Sequence, residues 1–142
     1  MTKLWCSSHG KPRRKLPYFL EEEFRSNEVF DIPIVDAIGG RTLGPNEVNA
    51  IIWDAKINAP KKQWHIIMLG GNNLRKKSET VESFMAHCKE LAAAFEGIPN
   101  AKLVFMGMIP SPGTDSISKK LFVEANSQMR LLSQNQRSNS FA

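Results

Sequence analysis

The segment "WHIIMLGGNN", residues 64–73, is a continuous apolar run that ends in glycines. An apolar run without alternation is typical of a strand that is buried on both faces of a parallel sheet. Three other segments are also strand-like, namely "KLWCS", "VFDIPIVDAI" and "AKLVFMGMIP". Each strand-like segment is followed by one in which apolar residues recur at helical spacing. This alternation predicts βαβ units with right-handed crossovers, and therefore an α/β fold with a parallel sheet.

The helical segments have recognisable ends. "LPYFLEEEF" (16–24) and "GPNEVNAIIWDAKI" (44–57) each begin with a proline in the first turn. The next helix is predicted to have Ser78 as its N-cap and to stop at Gly97, and the last to be capped by Asp115 or Ser116. In the helix after Ser78, the face predicted to be buried consists of Val81, Phe84, Met85, Cys88, Leu91, Ala92 and Phe95. In the last helix it consists of Ile117, Leu121, Ala125, Met129 and Leu132.

The length of 142 residues is that of one domain. We assign residues 1–132 to this domain and expect the polar tail, residues 133–142, to be frayed. Pro33 favours an edge position for the second strand, since proline lacks the ladder donor. Four strands would leave the apolar edge of "KLVFMGMI" exposed, so self-association through that edge is expected.

Other broad features exclude whole classes of protein. No apolar run approaches the roughly 20 residues of a membrane span, and the N-terminus lacks the apolar core of a signal peptide. An intracellular, cytoplasmic protein is therefore expected. Cys6 and Cys88 are expected to be free buried thiols, and nothing in the sequence supports a disulfide between them.

Small polar residues and glycines follow every predicted strand, in "SSHG", "IGGRT", "GGNNLR" and "IPSPG". The ends of parallel strands meet at one edge of the sheet, where α/β proteins place their sites. Ser8 would bring a hydroxyl and a backbone amide to this edge, Gly40 a second amide and Asn72 a carboxamide. A hydroxyl nucleophile among neutral donors suits acyl transfer, in which negative charge develops on a carbonyl oxygen.

Simpler interpretations of the same residues remain open. Ser8 could be a turn serine, and Asn72 and Asn73 could be capping residues. The glycine pairs could form plain turns or loops that bind phosphate. Neither pair fits a G-x-G-x-x-G or P-loop pattern, so a nucleotide site is disfavoured.

Three of these clusters resemble the motif blocks of the SGNH (GDSL-type) esterases and lipases. "CSSHG" is similar to their Gly-Asp-Ser block, with Ser8 as the nucleophile. "GGRT" resembles the second block, with Gly40 as the oxyanion glycine, and "GGNN" resembles the third, Gly-x-Asn-Asp, with Gly70 and Asn72 in place. The resemblance extends from about Lys3 to Leu132. It implies a flavodoxin-like three-layer α/β/α fold and hydrolysis of a small acyl ester without a metal or other cofactor, with substrate contacts from the neighbouring Ser7, His9, Arg41, Gly71, Asn73 and Arg75.

The sequence departs from the family pattern at several points. Cys6 and Ser7 replace the Gly-Asp before the nucleophile, and Asn73 replaces the aspartate after Asn72. The fifth block, Asp-x-x-His, is missing, and no histidine follows His87. We therefore expect a C-terminally truncated fold, without its fifth strand and last helix, and a hydrolase that is inactive or incomplete. The chain's three histidines, His9, His65 and His87, are not expected to replace the missing general base.

Basic residues follow the first and third predicted strands, in a chain of net charge +5. We call them the basic rim, which consists of Lys11, Arg13, Arg14, Lys15, Lys76 and Lys77. These charges could simply be solvated, or they could attract an anionic substrate or a nucleic-acid backbone. The alternative hypothesis is thus a non-catalytic SGNH-like module that binds nucleic acid. "LGGNNLR" is similar to domains of this kind in animal retroelement proteins, although these loops lack the aromatic residues that stack on bases.

Overall fold

The computed structural model describes residues 1–7, 33–75, 79–136 and 139–142. Within these ranges a single parallel sheet has the strand order β2-β1-β3-β4-β5. Its strands are β1 Thr2–Ser7, β2 Ile34–Ile38, β3 Gln63–Met68, β4 Ala101–Phe105 and β5 Asn139–Phe141. The helices are α1 Pro45–Ile57, α2 Gly71–Arg75, α3 Val81–Glu96 and α4 Ser116–Gln134. The predicted α/β class is confirmed, and β2 lies at the edge that Pro33 indicated.

The sheet extends beyond the four strands expected from the sequence. Residues Asn139–Phe141 form β5, which pairs in parallel with Leu103–Phe105 of β4. The Ala142 amide donates to the Phe105 carbonyl at 2.9 Å, and the Gly107 amide donates to the Ala142 carbonyl at 2.7 Å. The expected absence of a fifth strand is therefore wrong. So is the expected exposure of the β4 edge, because pairing with a distant strand orders a short polar segment that has no apolar pattern of its own.

Helix α3 follows its predicted pattern closely. All seven residues predicted to face the core are buried, and Gly97 is the C-cap. The N-cap is Thr80, whose side chain accepts from the Ser83 amide while Ser83 bonds back to the Thr80 amide. The predicted cap, Ser78, lies outside the described residues.

Helix α4 is capped by Asp115 as predicted, and four of the five residues predicted to face the core do so: Ala125 and Met129 are buried, and Leu121 and Leu132 are partly buried against it. Ile117 is 72% exposed, and the buried residues are Ser118, Phe122, Ala125, Met129 and Ser133. The two serines satisfy their hydroxyls locally: Ser118 bonds to Asp115, and Ser133 donates to the Met129 carbonyl. A hydrophobic pattern cannot anticipate buried serines of this kind.

The larger core lies on one face of the sheet. Alternate strand residues such as Trp5, Ile67 and Phe105 meet α1, α3 and α4 there, through side chains that include Ile51 and Phe122. A smaller cluster of Leu4, Cys6 and Ile66 occupies the opposite face. Successive side chains along a strand point to opposite faces of the sheet, so these strands place buried apolar residues on both faces.

A buried polar network crosses the sheet at His65. Its Nδ1 accepts from Trp5 Nε1 at 3.1 Å, and its Nε2 lies 2.8 Å from Gln63 Oε1. Gln63 in turn donates to the Ala55 carbonyl at 2.9 Å. The network requires a neutral imidazole with its proton on Nε2, and burial lowers the pKa of His65 from 6.5 to about 4.

Two asparagine side chains hold loops at the other end of the sheet. Asn73 of α2 accepts from the Leu43 amide and donates to the Leu43 carbonyl, both at 2.8 Å. Asn126 of α4 does the same to Met108, at 2.7 Å and 2.9 Å. Each carboxamide therefore supplies the pair of hydrogen bonds that a neighbouring strand would give. We call these contacts the Asn73 clamp and the Asn126 clamp.

Acid should destabilise the fold through His65. The unfolded chain binds a proton at His65 with a pKa near 6.5 and the folded chain only near 4, so stability falls as the pH drops through this window. The loss contributed by His65 should reach about 3 kcal/mol. Urea unfolding between pH 7 and pH 4 measures it, with His65→Gln as the comparison because glutamine does not titrate. Equal pH dependence in the two proteins would contradict the network.

Removal of the Asn73 clamp should destabilise the fold strongly. Asn73→Ala leaves the amide and carbonyl of the fully buried Leu43 without partners, which should cost about 3 kcal/mol in denaturant unfolding. Asn58→Ala is the matched control. The Asn58 side chain bonds to Asp54 in a partly exposed position, where water can replace it, so the loss should stay below about 1 kcal/mol. Similar losses in the two variants would rule out a special role for the clamp.

Candidate functional site

The carboxyl ends of four strands lie side by side, as predicted. In the register of the sheet, Ser7 at the end of β1 is opposite Ile38 of β2. Cys6 is opposite Met68 of β3, and Ile67 is opposite Phe105 of β4. The loops that follow β2, β3 and β4 therefore share one edge with the half-buried Ser7.

The loop after β2 begins with a tight turn. The Arg41 amide donates to the Ile38 carbonyl at 3.3 Å, which closes a turn over Gly39 and Gly40. Gly40, at the third position, has a φ of 70°. This left-handed conformation suits glycine and explains why the second residue of the pair lacks a side chain.

Asn72 lies against this turn. Its Nδ2 donates to the Arg41 carbonyl at 3.0 Å. The structure thus brings the predicted donor Asn72 next to the residue that follows Gly40.

The loop after β3 depends on a glycine at position 70. Gly70 has a φ of 124°, and a Cβ there would lie 2.7 Å from two ring atoms of Phe84. The following Gly71 has no such restriction, because its Cβ would meet the Phe122 ring at 3.8 Å. Gly70 therefore allows the chain to pass tightly over α3 before α2 begins at Gly71 and presents Asn72.

Arg41 and Asn73, both predicted to contact substrate, have partners within the protein. The Arg41 side chain is 9% exposed, donates to the carboxylate and the carbonyl of Asp36, and lies 5.4 Å from the Trp5 ring. Asn73 is fully buried in its clamp and also donates to Glu79 Oε2 at 3.1 Å. Both residues hold the loop after β2 in place, so we assign them to positioning.

Glu79 explains the departure from the Gly-x-Asn-Asp pattern at position 73. An aspartate there would place its carboxylate against Glu79 Oε2 and the Leu43 carbonyl, where Asn73 now donates. Only a side chain with both a donor and an acceptor satisfies these partners.

Several predicted site residues lie outside the described residues. They are the predicted nucleophile Ser8, its neighbour His9, and the whole basic rim, Lys11, Arg13, Arg14, Lys15, Lys76 and Lys77. Their roles stay predictions, and so does the nucleic-acid hypothesis that depends on the rim.

His65, one of the two histidines in the described part of the chain, lies far from the carboxyl end of β1. His65 pairs with Lys3 in the β1–β3 register, four residues before Ser7, a separation of about 13 Å along the strand. Both of its ring nitrogens already have protein partners. His87 is half-buried on α3, next to the buried Cys88.

The two cysteines are free and buried, as expected from the sequence. Burial raises the pKa of Cys6 to about 11, against an opposing influence of Arg41, and burial also raises the pKa of Cys88. Both thiols are therefore protonated at neutral pH. Cys6, two residues before Ser8, does not offer a competing nucleophile.

A polar cavity of about 320 Å³ lies at the same edge, between α2 and the loop from β4 to α4. It is lined by Arg75, Ser111, Pro112, Gly113, Thr114 and Asp115. Of these, only Arg75 was predicted to contact substrate. Ser111, Pro112 and Gly113 belong to the "IPSPG" cluster that the sequence placed at this edge, although no substrate contact was predicted for them.

The described ranges contain neither a group of side chains that could hold a metal ion nor a helix that could span a membrane. No three His, Cys, Asp or Glu side chains in them come close enough together to hold a metal ion. None of the helices in this part of the chain combines the length and hydropathy of a membrane span.

Comparisons of sequence find no relatives, since neither a family model nor a curated protein matches the chain. Solved structures do match. A variant of an acetyl-xylooligosaccharide esterase from Geobacillus stearothermophilus superposes with a TM-score of 0.65 at 13% identity, covering 96% of this chain and 73% of the esterase. A Streptococcus pneumoniae protein, provisionally assigned as a platelet activating factor, gives 0.65 at 10% identity, covering 99% of this chain.

The chain spans 64% of the length of the streptococcal protein. At such low identities these matches bear on the fold, and they lend no support to the retroelement subgroup. The chain shares its α/β fold with these two solved structures.

Proposed function

We propose that this chain carries the nucleophile and the oxyanion-stabilising groups of an SGNH-type serine ester hydrolase that acts on a small acyl ester. The observation that supports this most is the bond from Asn72 to the Arg41 carbonyl. It holds the carboxamide donor beside the turn of Gly40, at the edge where β1 ends one residue before Ser8.

The proposed reaction is acyl transfer to Ser8. Its hydroxyl oxygen attacks the ester carbonyl, its proton passes to a general base, and the carbonyl oxygen becomes an oxyanion. The backbone amides of Ser8 and Gly40 and the carboxamide of Asn72 donate to that oxyanion. Each such donor lowers the barrier by about 3 kcal/mol where it has been tested. Departure of the alcohol leaves an acyl-serine, which water then hydrolyses.

No general base is identified among the residues that the structure describes. A serine hydroxyl without a base is a weak nucleophile at neutral pH. His65 is buried in its own network, four residues back along the sheet from Ser7. We therefore expect the chain to bind and slowly acylate on Ser8, with little turnover of ordinary esters.

Labelling by a fluorophosphonate tests Ser8 without the need for turnover. The wild-type chain should gain one phosphonyl group by mass spectrometry, and Ser8→Ala should gain none. Asn72→Ala should label roughly 100-fold more slowly, because it removes one oxyanion donor. Ser127→Ala, an exposed serine on α4, is the control and should label at the wild-type rate.

Two results would contradict the proposed function. One is a wild-type chain that does not label at all. The other is labelling that persists in Ser8→Ala, since the modified residue would then be a different one.

A further inference from the structure

We propose that the cavity beside α2 binds an oxyanion, a carboxylate or phosphate group carried by the substrate, with Arg75 as its main ligand. The link to a substrate rests on the proposed function, whereas the anion site itself does not. The volume of about 320 Å³ is at the small end of ligand pockets, enough for one charged group and a short chain.

Arg75 brings a positive charge to this cavity. Its Nη2 donates to Ser111 Oγ at 3.1 Å, and its guanidinium lies 5.6 Å from the centre of the Phe122 ring. Among the described residues, no carboxylate forms an ion pair with Arg75, whereas Arg41 and Lys3 both have one. The bond to Ser111 uses one of five guanidinium hydrogens, and the planar fork matches a carboxylate or phosphate.

Asp115 is the one carboxylate among the described lining residues, and both of its oxygens already accept hydrogen bonds. Its Oδ1 accepts from the Ser118 amide at 2.7 Å and its Oδ2 from the Ser118 hydroxyl at 3.1 Å. These bonds lower the pKa of Asp115 and hold its charge at the start of α4. Asp115 thus caps α4 and leaves Arg75 to meet the ligand.

The part of the cavity formed by the loop after β4 is held in place by hydrogen bonds within that loop. The Thr114 amide donates to the Ser111 carbonyl at 3.1 Å, and the Thr114 hydroxyl donates to the same carbonyl at 2.8 Å. Pro112 and Gly113, whose φ is 85°, occupy the two central positions of this turn. Proline followed by a glycine with positive φ gives a rigid turn, so little ordering is needed when a ligand binds.

The position of Arg75 on α2 relates this cavity to the acyl site. Arg75 is three residues after Asn72, and side chains at this spacing lie on the same side of a helix, about 5–6 Å apart at Cβ. An anion on Arg75 would therefore sit a few bonds from a carbonyl held by Asn72. The substrate class is an ester with a carboxylate or phosphate close to the ester group, in its acyl or its alcohol part.

The experiment is an NMR titration of the full chain with inorganic phosphate and, separately, with acetate, at constant ionic strength. The amides of Gly113 and Thr114 should shift in a saturable way. Arg75→Gln should weaken binding at least tenfold, and Arg75→Lys should be intermediate because it keeps the charge and loses the fork. Lys89→Gln removes an exposed charge on α3 and should bind like the wild type.

The arms of the titration distinguish the two ligand sources. Tighter phosphate binding assigns the cavity to a phosphorylated substrate, and tighter acetate binding assigns it to a carboxylate. The proposal is overturned if neither anion gives saturable shifts in the wild type, or if Arg75→Gln binds as well as the wild type. Unchanged signals elsewhere in the Arg75→Gln spectrum show that the variant is folded.

Failure of this inference is distinguishable from failure of the proposed function. Ser8→Ala should bind both anions like the wild type, because it leaves Arg75 and the loop after β4 unchanged. Anion binding without labelling of Ser8 would refute the esterase proposal and keep the anion site. Labelling of Ser8 without anion binding would refute the anion site and keep the esterase proposal.

Discussion

The Asn73 clamp is the interaction on which the candidate site most depends. Leu43 is fully buried in a loop, so its amide and carbonyl have no strand to pair with and cannot reach water. Asn73 satisfies both groups, and this fixes α2 against the loop that carries Gly40 and Arg41. Asn72, the preceding residue of the helix, is then held where its carboxamide meets the Arg41 carbonyl.

The same principle is repeated around the sheet edge. The Asn126 clamp ties the loop after β4 to α4, and Gly70 lets the loop after β3 pass close to Phe84 and Met108. Loops from three strands are thus fixed by helices before any substrate is present. Donors held in this way need no reorganisation when charge develops on a substrate, which is what oxyanion stabilisation requires.

The sequence predicted those features that depend on a local or periodic signal. The buried face of α3, the Asp115 cap and the edge position of β2 all follow from spacing, capping chemistry or proline. The helix α2 was missed because five residues are too short for a period to show. Strand β5 was missed because pairing with β4, not its own composition, orders it.

The site was predicted only in outline, because some of its contacts join residues that are distant in sequence. The proximity of Asn72 to the Gly40 turn follows from parallel strand ends, but the partners of Asn73 lie 30 residues away in sequence at Leu43. The resemblance to the family motif suggested that Asn73 contacts substrate. The sequence feature that bears on Asn73 is Glu79, six residues later, because a carboxylate beside position 73 favours an amide there over a second carboxylate. The roles of Ser8 and the basic rim stay predictions, because those residues are not described.

The central claim is that the clamp orders the loop carrying the proposed oxyanion groups. Native-state hydrogen exchange at the Leu43 amide measures this directly. Leu43 lies outside every helix and strand, yet its amide should be protected to the same degree as those of β1 and β3, because it donates to a buried side chain. Exchange at the rate of an unprotected loop amide would contradict the account.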